Sequence, residues 1–281
     1  LSVNAVVQRG FVDLPHGQMH YRFAGEAGEP ILLLHASPGS SCQLVRLIED
    51  LAGESRVFAP DTPGNGDSVA LPAEDLEIAD LAQATLAFLD AAGLERVRVY
   101  GSHTGAAIAA ELAILAPERV ARVVLDGISL MEGAELEEVL ATYAYPFVPD
   151  LDGAYLIRLF QFVRDQYLFF PWYRRTKEAR RDSGLGSPED MHAWVVEVMK
   201  AATTYHRNYR AAFRWPADHR LPLISCPVLV TAAANDPLRD TSARLAPLPA
   251  DSRFAELPRF DALDFRSRRH DVIATFLAGE S

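Results

Sequence analysis

The tract Tyr100-Gly101-Ser102-His103-Thr104-Gly105-Ala106 sets a histidine midway between two glycines, directly after the apolar run Val97-Arg98-Val99-Tyr100 and directly before a helical periodicity. Glycine two places to either side suits a sharp strand-to-helix turn, because only a residue without Cβ lets the two backbones approach closely. A side chain at such a turn stands at the start of a helix, where backbone N–H groups and the helix dipole place positive potential that disfavours an imidazolium. His103 is therefore expected to be neutral. A neutral imidazole can take a proton from water or substrate as a general base, or attack an acyl carbon to give an acyl-imidazole that water removes. His16, His20, His192, His206 and His219 show no convergent carboxylate or metal-ligand spacing, and Cys42 and Cys226 lie far apart, so neither a metal nor a cofactor is expected.

The elements that must position His103 are legible from hydrophobic period. Phe11 to Phe23, with a turn at Pro15-His16-Gly17, reads as an antiparallel edge hairpin. Ile31-Leu32-Leu33-Leu34-His35, Arg56 to Asp61, Val97 to Tyr100, Val120 to Asp126 and Pro227 to Thr231 are short apolar runs typical of strands buried on both faces. Apolar residues three and four apart mark helices over about 41 to 52, 77 to 92 and 104 to 116. Strand alternating with helix implies right-handed crossovers and an α/β fold with a mostly parallel sheet. The alternation stops after Ile128 and resumes at Pro227, with a weaker strand near Arg253 to Leu257 and a closing helix from about Ser267 to Leu277. The reading is a core of residues 1–130 and 219–281 with a helical cap inserted at 131–218. That insertion carries Tyr167, Phe169, Phe170, Trp172, Tyr173, Trp194, Tyr205, Tyr209, Phe213 and Trp215 at helical spacing. Most of these rings should hold the inserted helices together, and a minority should face an apolar pocket beneath.

The chain has 281 residues, 49% of them hydrophobic, enough for a sizeable core. Its net charge of −11 argues against a nucleic-acid or anionic-membrane partner, both of which select basic surface. The amino end lacks a basic start followed by an apolar run, and no uninterrupted apolar stretch is long enough to span a bilayer. With two unpaired-looking cysteines, a reducing cytoplasm and a small-molecule substrate fit best, and a homodimer is left open.

Three segments, in order and at sensible spacing, resemble the α/β-hydrolase fold superfamily, and the resemblance covers nearly the whole chain. Leu34-His35-Ala36-Ser37-Pro38-Gly39 is similar to the family's His-Gly-x-Pro-Gly turn after the third strand, with Ala36 in place of a glycine. Asp61-Thr62-Pro63-Gly64-Asn65-Gly66-Asp67-Ser68 looks like its Asp-x-Pro-Gly-x-Gly-x-Ser loop, whose role is structural. Gly101 to Gly105 occupies the place of the Gly-x-Ser-x-Gly nucleophile elbow, with His103 where the nucleophile stands.

The resemblance implies an eight-stranded sheet, an oxyanion hole built from Ser37 and Thr104, and a His35 that mostly supports loop geometry through hydrogen bonds; the cap should enclose an apolar or aromatic substrate, with His35, Ser102, Phe170 and Trp172 as candidate contacts. It also implies a carboxylate after the seventh strand, where Asn235-Asp236-Pro237 stands, and a histidine after the last strand. Here the last position reads Leu257-Pro258-Arg259-Phe260-Asp261-Ala262, and His270 falls inside the closing helix. Two of the ordinary triad's three members are thus missing. Asp236 is the first choice of carboxylate to orient His103, Asp261 the second and Asp126 the third. Ser102 remains as an alternative nucleophile, at the cost of the glycine spacing, and an inert elbow is the plain alternative. Three functions compete: cofactor-free hydrolysis of an ester, lactone or related carbonyl compound; a lyase or isomerase moving protons through His103; and a ligand-binding protein without turnover.

Overall fold

The structure is a computed structural model that describes residues 5–279; the first four residues of the amino end read above, and the last two of the chain, lie outside it. Eight strands form one sheet: β1 (Gln8–Leu14), β2 (Gly17–Ala24), β3 (Pro30–Leu34), β4 (Arg56–Pro60), β5 (Val97–Ser102), β6 (Val120–Asp126), β7 (Val228–Ala233) and β8 (Ser252–Leu257). Their order is β1-β2-β4-β3-β5-β6-β7-β8, antiparallel at β1/β2 and β2/β4 and parallel elsewhere, as expected from the edge hairpin followed by strand-helix alternation. The central strands are apolar on both faces because both faces are covered. Leu32, Leu34, Val99, Val123 and Val230 belong to one apolar cluster, and Ile31, Leu33, Val57, Val124 and Leu229 to the other.

The helices are α1 (Val45–Leu51), preceded by a 3₁₀ turn, α2 (Ile78–Ala91), α3 (Thr104–Leu115), α4 (Gly133–Thr142), α5 (Ala154–Leu168), α6 (Pro188–Lys200), α7 (Tyr205–Arg214), α8 (Ala217–Arg220), α9 (Arg239–Leu245) and α10 (Phe265–Ala278). α2 begins on a capping box between Glu77 and Asp80. α6 begins on the Ser187 side chain, which accepts from the Asp190 N–H, with Pro188 in the first turn. α3 is apolar apart from Thr104 and Glu111 and buried along most of its length, as befits the helix that follows the turn at His103 and packs on β3, β5 and β6.

The five helices α4–α8 lie between β6 and β7 in the chain. Tyr143, Phe147, Phe162, Trp172, Tyr205 and Phe213 pack there in a third apolar cluster, distinct from the two that cover the sheet. Among the described residues no helix is long and apolar enough to cross a membrane.

Candidate active site

Parallel strands place their C-terminal ends along one edge of the sheet, and the loops leaving that edge carry the polar residues. β5 ends at Ser102, and the chain turns into α3 through His103, whose φ of 52° is the one positive value among the described non-glycine residues. Such a backbone costs about 1–3 kcal/mol and persists only where its surroundings enforce it. The enforcement is visible. A Cβ on Gly105 would stand 2.2 Å from the Leu34 carbonyl oxygen, and one on Gly101 would stand 2.1 Å from that of Gly105. The His103 N–H is held by the Asp126 carbonyl at 2.8 Å.

The ring of His103 meets Asp236. Nε2 lies 2.9 Å from Oδ2, while the other carboxylate oxygen of Asp236 accepts the Leu238 N–H at 2.7 Å. His103 is 37% exposed and Asp236 14%, so the pair sits at the wall of a cavity with water access from one side. The expectation of an imidazole with depressed basicity does not hold. Burial does act in that direction and is the largest single influence, but the Asp236 charge, its hydrogen bond and the nearby Asp126 together outweigh it, so the His103 pKa is raised above the ordinary histidine value. Asp236 is held below the usual carboxylate value: burial opposes this, and His103, the Leu238 N–H and Arg181 prevail. An ionised Asp236 only accepts, which fixes the proton of neutral His103 on Nε2 and leaves the lone pair on Nδ1.

Beneath this pair runs a polar row set by strand register. Ser102 on β5 pairs with Asp126 on β6, and Asp126 with Thr231 on β7. Asp126 accepts from the Tyr100 hydroxyl at 2.6 Å and from Thr231 Oγ1 at 3.0 Å. Burial raises the pKa of Asp126 and pushes that of Tyr100 well up. Gly127, next in the chain, has φ of +77°, and a Cβ there would come within 2.5 Å of His103 Cδ2. The glycine therefore makes room for the ring.

The cavity in front of His103 measures about 880 Å³, and Ser37, Ser102, Thr104, Asp126, Phe170 and Asp236 line it, together with Tyr143, Arg181, Tyr209 and Phe213. The Ser37 hydroxyl is buried without a hydrogen-bond partner. Thr104 opens α3, so its N–H has no acceptor within the helix.

Four expectations are corrected. Asp261 reaches the rim of the cavity but is gripped in a bidentate pair by Arg259 at 3.0 Å through each oxygen, and it does not bond His103. His35 does not line the cavity; it is fully buried, its Nε2 accepting the Thr62 N–H and its Nδ1 donating to the Ala36 carbonyl, each at 2.9 Å. Trp172 faces the third apolar cluster instead, its Nε1 donating to the Tyr143 carbonyl at 3.0 Å. His20 does find a carboxylate, with Nδ1 2.8 Å from buried Asp61 Oδ2. Asp67 stands close enough to complete a three-residue metal-ligand set with them, yet the Asp61 oxygens already accept the Ser41 and Asp67 N–H groups, so the chemistry of the group is that of a loop brace. His270 turns to its neighbour Asp271, away from the cavity.

Residues 29–251 match the family described as the alpha/beta hydrolase fold. The chain belongs to that family. It is 36% identical over 127 residues to a 2-hydroxy-6-oxononadienedioate/2-hydroxy-6-oxononatrienedioate hydrolase of Pseudomonas putida, covering 44% of this chain and 43% of that one. It is 28% identical to a 2-hydroxy-6-oxo-6-phenylhexa-2,4-dienoate hydrolase of Burkholderia cepacia over 75% of this chain and 81% of that one. A hydrolase from Pseudomonas aeruginosa superposes with a TM-score of 0.73 at 23% identity, covering 99% of both chains, which shows the shared fold. Matches to several curated relatives span only 31–43% of those proteins' length.

Sequence reasoning missed Tyr100, Gly127, Arg181 and Arg269 as parts of the site's surroundings. Cross-strand register brings Tyr100 to Asp126, and the steric role of Gly127 exists only once the His103 ring is placed. Arg181 ends an arginine-rich stretch that reads as solvated charge.

Proposed function

We propose that this chain is a cofactor-free hydrolase of esters, lactones or related carbonyl compounds of apolar character, with His103 as general base. The observation that supports this most is the 2.9 Å contact between His103 Nε2 and Asp236 Oδ2 at the wall of a large, aromatic-lined cavity. In this reading the helices of 131–218 act as a cap that closes the pocket over a core of 1–130 and 219–281.

The step follows from the tautomer. Nδ1 of His103 accepts a proton from water as that water attacks the carbonyl carbon, and Asp236 stabilises the imidazolium through Nε2–H. The oxyanion that forms takes hydrogen bonds from the N–H groups of Ser37 and Thr104 and from the Ser37 hydroxyl, whose partner would then be the reacting oxygen. When the carbon–oxygen bond to the leaving group breaks, the imidazolium returns its proton to the departing oxygen and the cycle closes.

Oxygen-18 water supplies the test. Turnover of an aryl ester in labelled water should place one labelled oxygen in the carboxylic acid. Product without label would replace hydrolysis by lyase or isomerase chemistry, and a ligand that stabilises the protein against heat but yields no product would mark a binding protein.

A further inference from the structure

Two arginines line the cavity without a salt bridge among the described residues. Arg181, from the chain between α5 and α6, donates one Nη1–H to the Gln166 carbonyl at 2.8 Å, and its buried Nε has no partner. Arg269, on α10, likewise lines the cavity with a buried, unpartnered Nε. Both Nε atoms are enclosed by protein, so what each arginine can offer a ligand in the cavity is its terminal Nη–H donors.

The cavity's acids are otherwise engaged. Asp236 is held by His103 and Leu238, Asp126 by Tyr100 and Thr231, Asp261 by Arg259, Glu197 by Lys200, and Asp190 by the Ser187 hydroxyl. Each of the two guanidinium groups instead lies over a phenylalanine ring, one that of Phe260, in the segment where the family's last histidine would stand, and the other that of Phe265, at the start of α10. Arg181 is 5.6 Å from the Phe260 ring centre and Arg269 is 5.3 Å from that of Phe265. Aromatic stacking occupies the face of a guanidinium and leaves its edge, with the N–H donors, free to grip a planar anion in the manner of a fork.

We propose that Arg181 and Arg269 form a carboxylate subsite, so that the substrate is an acid whose anionic end is held there while its reactive carbonyl faces His103. The inference takes its substrate orientation from the hydrolase reading but concerns binding alone.

Calorimetric titration with 3-phenylpropanoate and its uncharged amide, 3-phenylpropanamide, separates the two. Wild-type protein should bind the acid roughly tenfold or more tighter than the amide, the size of effect a charge-assisted hydrogen bond confers. Arg181→Gln and Arg269→Gln should each reduce that preference severalfold, weakening the acid far more than the amide, with thermal unfolding as the fold control. His103→Ala should retain the preference, so loss of hydrolysis alone leaves the subsite standing. Equal affinity of wild type for acid and amide, including no binding of either, overturns the proposal, as does a preference that survives both arginine substitutions.

Discussion

Replacement of Asp236 by asparagine probes the site more sharply than its removal. One oxygen of the carboxylate accepts the Leu238 N–H at 2.7 Å and the other faces His103 Nε2 at 2.9 Å. In the Asp236→Asn variant the amide oxygen must turn to Leu238, because the amide nitrogen cannot accept that N–H. The NH₂ group then faces Nε2 as a donor and draws the imidazole into the tautomer with its proton on Nδ1, which is the wrong nitrogen for catalysis. Restoring the productive tautomer sets donor against donor at about 1–3 kcal/mol, and the imidazolium loses its carboxylate besides. At 1.36 kcal/mol per tenfold in rate, the sum predicts a fall in kcat of roughly 10²-fold. Asp236→Ala leaves the tautomer unconstrained and should fall less. The assay is kcat against pH on an aryl ester. Neutral His103 is the active form, so wild-type activity rises with pH through a value above that of ordinary histidine, and the asparagine variant shifts this limb to lower pH. A variant within twofold of wild type, with its limb unmoved, refutes the reasoning.

Gly127→Ala forces a Cβ to within 2.5 Å of His103 Cδ2 at a φ of +77°, so the ring must move; kcat should drop by about tenfold or more, and stability by about 1–2 kcal/mol in urea unfolding. Ser37→Ala removes a buried hydroxyl that has no partner in the free protein, so kcat should fall several-fold on the ester assay while the melting temperature stays level or rises. Asp61 is buried and accepts from Ser41, Asp67 and His20; burial opposes its ionisation, but these partners hold its pKa below the ordinary carboxylate value. Its stabilising contribution is therefore present above the unfolded-state value near 3.9 and lost as pH falls towards the depressed folded value, so Asp61→Ala should cost about 3–5 kcal/mol at pH 7 and flatten the acid limb of the stability curve, measured by denaturant titration.

The sheet was readable because each strand is a short apolar run and each crossover helix has its own period, so β3, β5, β6 and β7 fall where the pattern places them, and the closing helix α10 starts only two residues before its expected position. The elbow was readable because Gly101 and Gly105 stand two places either side of His103, where a Cβ would strike the start of α3 and the end of β3 respectively. Partnership was harder. Asp236 and Asp261 were both candidates from chain position, and what separates them is Arg259, two residues before Asp261, which captures that carboxylate. His35 and Trp172 looked available to substrate, yet each has a backbone partner that turns it inward. The basicity of His103 was misjudged because the helix terminus is a partial charge, whereas Asp236 is a full one in hydrogen-bond contact. The Ser102–Asp126–Thr231 row and the two cavity arginines depend on register and on the path of the chain between α5 and α6, which local pattern does not encode.

Steady-state hydrolysis by His103→Ala, on the best substrate of an ester and lactone panel and with thermal unfolding as the fold control, tests the central claim most directly. A general base at this position predicts a loss of kcat of about 10²–10⁴-fold in a folded protein. Turnover by the alanine variant equal to that of wild type would contradict the account and remove His103 from the chemistry.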